Sequence, residues 1–539
     1  MPAITKKVRN QIVNGSSTEA TDALVQVLSK PRHDLVELSQ LGKQLMDIGR
    51  FDLAGRVFAK WTEIEPKNVV PWSNLGGSLA RMKLFDQART ILDHAIKLNP
   101  GYLGARINLC SLFQDTGQFQ LALDSALAAV KCDPSSSLAF NNLGSALREL
   151  GMLDEAKHAF ETSLMLSKDS YFAKFNLAKI EADTGNHAKA ITYFEELVAT
   201  HEAKNSADVD AMKFALGFEY LKAGRLAEGW HLYESGFSDK LPDTVARHPL
   251  RKFVVPKWDG SLLQNGQRLM VWREQGIGDE VMFGSCLKLL ESTEADVILE
   301  VDHRLVAALQ RSFPKFEVRG QYFAPEHRLM QTKKDYDYQI SFGSLCQHFL
   351  RSAQDLDKLS PYLYPDQSKK QEFADRLAVY GTTKKVGICW RSGSLSAKRN
   401  SSYTHLDDWE KIFSIPGITF VNLQYGECEE ELRAAEKKFG IKITRWDDVN
   451  LKDDLESVFA IMSNLDAVVS VGTAIIPFAG ALGVPALAMV LKSWVLLGSD
   501  DSYPWFPSVT PIVVPVDGYV AQALPAVPGL LEQLIAMGN

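Results

Sequence analysis

The chain has 539 residues, 46% of them hydrophobic and 23% charged, with a formal net charge of −7. That length exceeds one ordinary core and predicts roughly two to four domains. The composition is that of a globular protein, and the acidic balance argues against a nucleic-acid surface, which needs clustered cations. Six cysteines, Cys110, Cys132, Cys286, Cys346, Cys389 and Cys428, form no CxxC pair, which fits reduced thiols rather than a disulfide framework or zinc site. The first residues carry positive charge without an apolar core behind it, and no apolar run approaches the ~20 residues that span a bilayer. The expectation is a cytoplasmic protein with no secretory signal and no membrane span.

The N-terminal half is periodic. Ala54, Ala88, Ala122, Ala156 and Ala190 recur every 34 residues, in phase with the small residues Gly42, Gly76, Cys110, Gly144 and Ala178. Phe58, Leu92, Phe160 and Phe194 follow their alanines by four, and Pro66, Pro100 and Pro134 close three units. This is the tetratricopeptide pattern, a helix–turn–helix whose small residues let paired helices approach. The expected division is a capping helix within 1–34 and repeats over 35–247, five regular and one irregular. Position six of each unit, on the helix lining the inner face, reads Gln40, Asn74, Asn108, Asn142 and Asn176. A side-chain amide offers donor and acceptor together, so such a ladder can hold a peptide backbone of any sequence. The same amides could instead bond to the adjacent helix and fix repeat stacking. The ladder resembles that of the O-linked N-acetylglucosamine transferases, which grip protein substrates with it.

Beyond the linker prolines Pro242, Pro249 and Pro256 the period is lost, and apolar runs alternate with helical stretches. Residues 268–272, 296–301, 386–390, 419–424, 466–471 and 485–490 read as buried parallel strands; 279–291, 407–414, 428–439 and 453–463 read as helices. Such alternation predicts a doubly wound α/β fold. Two Rossmann-like lobes are expected, at 248–370 and 371–539, so the fold class is α + α/β: an all-α solenoid followed by a GT-B-like pair.

In such sheets ligands lie beyond the carboxyl ends of strands, where helix N-termini supply amide donors. Three segments stand there. Arg273 to Glu280 contains Gly276-Ile277-Gly278-Asp279, in which Asp279 either projects into the cleft or simply caps its helix. Arg391, Ser392 and Gly393, followed by Lys398 and Arg399, suit a phosphate, or else form a solvated charged loop. Gly472, Thr473 and Ala474 allow close backbone approach at another helix start.

Taken together, WDGSLL, LMVWREQGIGDEVMF, GICWRSG, VNLQYG, LDAVVSVGTAIIPFAGALGVP and PWFPS resemble bacterial tetratricopeptide proteins with a heptosyltransferase-like domain, across about 250–515. Joined to a repeat half, the whole is similar to the flagellin glycosyltransferases. The resemblance implies an inverting, metal-independent GT-B enzyme without a resident cofactor, transferring a nonulosonic acid such as pseudaminic acid from a CMP donor to Ser/Thr of flagellin. It implies Asp279 as general base, with Glu280 as the alternative. It further implies Arg391, Ser392 and Lys398, with Arg399 nearby, at the donor phosphate, and Gln424 and Tyr425 at the base or ribose. Relatives of this kind usually read SVDTAVAHLAGALG, whereas Gly472 and Pro477 stand here for the Asp and His. Two alternatives follow: transfer from a UDP- or ADP-sugar, and a non-catalytic repeat scaffold or export chaperone.

Weaker signals complete the reading. Asp335-Tyr336-Asp337 satisfies the DxD pattern of metal-using transferases but more simply ends a loop before the strand 339–342. The histidines show no HExxH pairing, and no GxSxG elbow occurs. Trp494 and Trp505 suit either ligand stacking or core packing.

Overall fold

The structure, a computed structural model, describes residues 10–13, 16–29, 33–203, 209–241, 245–321, 335–392, 401–516 and 518–537. The chain divides into two compact units, 1–180 and 181–539.

The first unit opens with the helix Ser17–Leu28. Its start is a capping box, in which Ser16 Oγ accepts from Glu19 N and the Glu19 carboxylate accepts from Ser16 N. Helix pairs follow at the expected period: Leu35–Asp47 with Phe51–Ile64, Val69–Arg81 with Phe85–Leu98, Leu103–Asp115 with Phe119–Cys132, and Ser137–Glu149 with Leu153–Leu166. In three of these pairs the small residue on the first helix meets a large one on the second: Gly42 meets Phe58, Gly76 meets Leu92 and Gly144 meets Phe160. A Cβ on Gly144 would stand 2.7 Å from the Phe160 ring, too close for any other residue to fit without displacing it. Each turn within a pair needs one left-handed residue, and Gly49, Gly117 and Gly151 supply it at φ of 76°, 71° and 79°. At the equivalent place Lys83 adopts φ 62°, where its Cβ is crowded.

The second unit begins with the helices His187–Ala203, Val209–Lys222 and Leu226–Tyr233, then builds two sheets. In the first, β1 (Arg268–Trp272), β2 (Asp296–Val301), β3 (Glu317–Gly320) and β4 (Tyr338–Ser341) run in the order β3-β2-β1-β4. In the second, β5 (Lys384–Cys389), β6 (Ile418–Asn422), β7 (Ile443–Thr444), β8 (Ala467–Val471), β9 (Ala486–Leu491) and β10 (Val509–Val514) run β10-β9-β8-β5-β6-β7. All pairings are parallel, and the central strands are buried along almost their whole length, as parallel sheets require. The runs read as strands contain β1, β2 and β8 and overlap β5, β6 and β9 to within two residues at each end.

The end of the repeat region joins this α/β core. Trp230 and Tyr233 pack with Phe283 of the first sheet's helix and with Trp494 of the second sheet's loop, at ring separations of 6.0 to 6.4 Å. These helices bury their apolar faces against the sheets, which is why they fall in the second unit.

Because glycine removes the strain at a left-handed position, Lys83→Gly is expected to stabilise the repeat unit by about 0.5–1 kcal/mol. Thermal unfolding followed by circular dichroism checks the sign. A lower midpoint would mean that the Lys83 side chain contributes more than its backbone strain costs.

Candidate active site

The inner-face amides divide into two kinds. Asn108 Nδ2 donates to Ser73 O at 3.0 Å and lies 3.2 Å from Ser73 Oγ; Asn176 Nδ2 donates to Asn141 Oδ1 at 3.0 Å. These two donors therefore join neighbouring repeats, rather than lying open for a peptide. Asn74 is half-buried and makes no side-chain bond among the described residues; Gln40 is exposed. Asn142 is buried, and its Nδ2 has no hydrogen-bond partner.

In the second unit, the turn after β1 is held from inside. Arg247 is fully buried and binds Glu274, also fully buried, through Nε and Nη2. Its guanidinium lies between the rings of Tyr233 and Phe237, at 4.0 and 3.9 Å. It also donates to Ser341 Oγ at 3.1 Å and Tyr233 O at 3.3 Å. Glu274 accepts Gly343 N at 2.7 Å as well. Gln275 turns through φ 58° with its N–H on His248 O, and the helix Ile277–Phe283 begins.

Asp279 and Glu280 start that helix in different surroundings. Asp279 is half-buried, and its Oδ2 accepts Gly276 N at 3.1 Å. It caps its helix and also lies near Tyr503, whose hydroxyl is pushed up first by burial and then by the Asp279 charge. Glu280 is fully buried: Oε1 accepts Asp302 N at 2.9 Å, and Arg273 Nε stands 3.0 Å from Oε2. Burial pushes its carboxyl up to about 7, against the Arg273 charge. Glu280, the alternative base of the sequence reading, thus faces the protein interior and is held by Asp302 N and Arg273. Asp302 is held at about 2, its burial outweighed by bonds from Arg304. Arg304 also donates to Lys452 O at 2.9 Å, linking β2 to the second sheet's loops.

The ends of the second sheet turn toward this helix. A Cβ on Gly278 would lie 3.2 Å from Ala474 Cα and 3.7 Å from Pro477 Cγ, so the two helix starts touch and leave little room for a side chain there. Pro477 stands in the first turn of the helix Ile475–Leu482, where its missing N–H breaks no bond. Gly472 is exposed and Thr473 Oγ1 lies 3.1 Å from Ser470 Oγ.

Arg391 follows β5, but its charge is already matched. Nε donates to Glu431 at 3.0 Å, Nη2 pairs with the same carboxylate, and Nη2 donates to Glu427 O at 2.7 Å. Trp390 Nε1 binds Glu431 too. Gln424 is buried, accepts Arg391 N at 3.1 Å and donates to Tyr425 O at 3.0 Å. Beside it opens a cleft of about 740 Å³ lined by Tyr425, Glu427, Glu431, Arg445, Trp446 and Lys452 among others. Gly393, Lys398 and Arg399 lie outside the described residues, while Ser392 is half-buried beside Arg391.

Other signals resolve into structure. Asp335 pairs with Arg319 and Arg268, and Asp337 accepts Arg268 N, so both carboxylates of the DxD pattern fasten strand ends. Trp505 is fully buried, with Nε1 on Val495 O. No group of three or more His, Cys, Asp or Glu residues among those described is arranged to hold a metal ion. No described helix is long and apolar enough to cross a membrane. Sequence reasoning passed over Arg247, Glu274 and Glu431; Glu274 stood inside a quoted motif, but nothing local marked Arg247 as its partner.

These features define a tetratricopeptide protein with two parallel α/β sheets meeting at their strand ends, and residues 141–208 match the tetratricopeptide repeat family. The chain is 32% identical over 471 residues to protein FlbA of Caulobacter vibrioides, covering 84% of this chain and 77% of that protein, and it belongs to the FlbA family. It is 25% identical to the human protein O-mannosyl-transferase TMTC1 over 30% of this chain and 19% of that protein. Among solved structures, a thermophilic tetratricopeptide protein of Thermus thermophilus, TTC0263, is 21% identical over 33% of this chain and 96% of that one, with a TM-score of 0.31.

The buried Glu280 carboxyl gives a pH test. Its folded pKa of about 7 exceeds the ordinary 4.5. Unfolding therefore releases a proton between those values, and stability falls as pH rises through that window. Glu280→Gln should reduce the stability lost between pH 5 and pH 8 by ~2–3 kcal/mol. Urea unfolding at the two pH values checks this; an unchanged loss would contradict it.

Proposed function

We propose that the protein is a protein O-glycosyltransferase: the repeats hold a polypeptide acceptor, and the two sheets act as a GT-B pair that takes a nucleotide-sugar. One observation carries this reading. The helix bearing Asp279 and the helix opened by Gly472 to Ala474 touch at the carboxyl ends of two parallel sheets, where α/β folds bind nucleotides. The likeness to a protein O-mannosyl-transferase points the same way, over a small part of that protein.

In this reading Asp279 takes the proton of an acceptor Ser or Thr hydroxyl as its oxygen attacks the anomeric carbon. The bond from that carbon to the donor phosphate breaks, and the nucleotide leaves with its electron pair. The amides of Gly472 and Ala474 stabilise the departing charge. The cleft beside Gln424 takes the nucleoside, whose hydroxyls suit the carboxylates there. The donor is CMP-linked, the sugar a nonulosonic acid and the acceptor flagellin, as the sequence resemblance implies; transfer is inverting and metal-independent.

A second reading has its own support. Arg391 is tied to Glu431, and Gly472 and Pro477 replace two polar groups of the usual motif, which favours a scaffold whose sheets no longer catalyse.

Calorimetric titration with CMP, UDP, GDP and ADP separates the two. The transferase reading expects one nucleotide to bind selectively, and Arg391→Ala to weaken it at least tenfold. Absence of binding by all four would favour the scaffold.

A further inference from the structure

The first sheet carries a cavity on the face away from Asp279. Successive residues of β1 point to opposite faces. Leu269 and Val271 pack in the core that holds Val281, Met282 and Phe283 of the Asp279 helix, whereas Met270 and Trp272 pack with Phe237 and Phe253. Where Trp272 and the end of β4 meet the chain that follows the last repeat helix, a cavity of about 400 Å³ opens. That volume lies in the range of small-molecule sites.

One polar group of its lining is left over. Gln339, on β4, is 8% exposed, and Trp272 Nε1 donates to its Oε1 at 2.7 Å. An indole N–H can only donate, so that bond fixes which end of the amide is oxygen and makes the other end a donor. Among the described residues Nε2 has no partner, but unlike the sealed amide of Asn142 it keeps accessible surface. A donor at this depth without an acceptor is unfavourable and calls for one from outside.

The surroundings say what kind. Ser341 Oγ donates to Ser344 Oγ at 2.8 Å and Ser344 Oγ to Glu234 Oε1 at 2.6 Å, so these hydroxyls are spent within the protein. Glu234 is held further by Arg247 and Lys257, while Asp239 is exposed. Arg251 pairs with Glu300 and lies over the Phe253 and Trp272 rings, at 4.8 and 5.4 Å. Lys252 also lines the cavity, so its cations outnumber the two carboxylates. An acceptor with negative charge suits such a place better than a neutral or cationic group. The aromatic walls ask for an apolar body behind it.

We infer that this cavity binds a small carboxylic acid with an apolar body, its carboxylate accepting from Gln339 Nε2 and its body resting against Phe237, Phe253 and Trp272. The inference goes beyond the transferase reading and does not depend on it.

The test titrates the full chain with 4-fluorophenylacetate, and with 2-(4-fluorophenyl)ethanol and 4-fluorophenethylamine as neutral and cationic analogues, read by fluorine NMR line broadening. The acid should bind, and both analogues should bind at least tenfold more weakly. Gln339→Glu keeps an acceptor for the Trp272 indole but turns the donor end into a second carboxylate oxygen, and it should abolish binding of the acid. Gln120→Glu makes the same change at an exposed place on a repeat helix and should leave binding unaltered. Equal binding of acid and alcohol, no binding of the acid, or an unaltered affinity in Gln339→Glu would overturn the inference. If Gln339→Glu folds poorly, the unaltered chain decides. Irradiation with 4-azidophenylacetate should label residues within 237–239, 250–257 or 338–344, and excess 4-fluorophenylacetate should suppress the labels. Labels confined to other segments, or none, would equally overturn it.

Discussion

Arg247 and Glu274 form a charge pair in which neither side chain is exposed to solvent. Each ion alone would be strongly unfavourable in that interior, and together they are tolerable only because every donor finds an acceptor or an aromatic face. Glu274 leaves β1 one residue before the left-handed Gln275 and two before the cap of Asp279's helix. The pair therefore fixes the turn on which the candidate base stands. Tyr233 and Phe237 clasp the guanidinium, so the last repeat helix and the segment after it are tied to the same charge. Removing either partner alone would strand the other and cost about 3–5 kcal/mol.

A second set of bonds holds the two sheets to each other. Tyr362 and Leu363 both donate to Ala481 O, Arg304 donates to Lys452 O, and Arg311 pairs with Glu456. These bonds span both sides of the touching helix starts at Gly278 and Ala474. The strand ends that would meet a ligand are thus positioned by backbone and buried ionic contacts; Arg445, which lines the cleft, is matched by Glu429 and Glu436, and Arg391 by Glu431. A phosphate arriving there competes with carboxylates for Arg391. That competition makes the donor side the part of the account on which the choice between transferase and scaffold turns.

Much of the fold could be read from the chain because it is written in local repetition. The 34-residue period of Gly76, Gly144, Ala88 and Ala156 encodes helix pairs, and uninterrupted apolar runs such as 486–491 encode buried parallel strands. The edge strands β3, β7 and β10 are less legible: β3 is four residues long with charged Glu317 and Arg319, β7 has only two residues, and Thr510 and Pro511 interrupt the apolar run of β10. The site was legible in its backbone and not in its side-chain partners. GxGD and the Gly472 turn mark strand ends, but whether Glu280 faces solvent or Asp302 depends on contacts 22 residues apart. Arg391 looked like a phosphate ligand because Glu431, 40 residues on, lay outside any motif. The asparagine ladder shows the same limit within a repeat: Asn108 and Asn176 bond to Ser73 and Asn141 of the preceding unit, whereas Asn142 Nδ2 has no partner, although the residue type and the spacing are the same.

The central claim is that the sheets' facing ends receive a nucleotide, and photoaffinity labelling tests it most directly. The full chain would be irradiated with 5-azido-cytidine and 5-azido-uridine nucleotides and the labelled peptides identified by mass spectrometry. The account predicts labels within 422–432 or 445–453, removed by excess unlabelled nucleotide. Labelling elsewhere that competes equally well, or none above a denatured control, would contradict it.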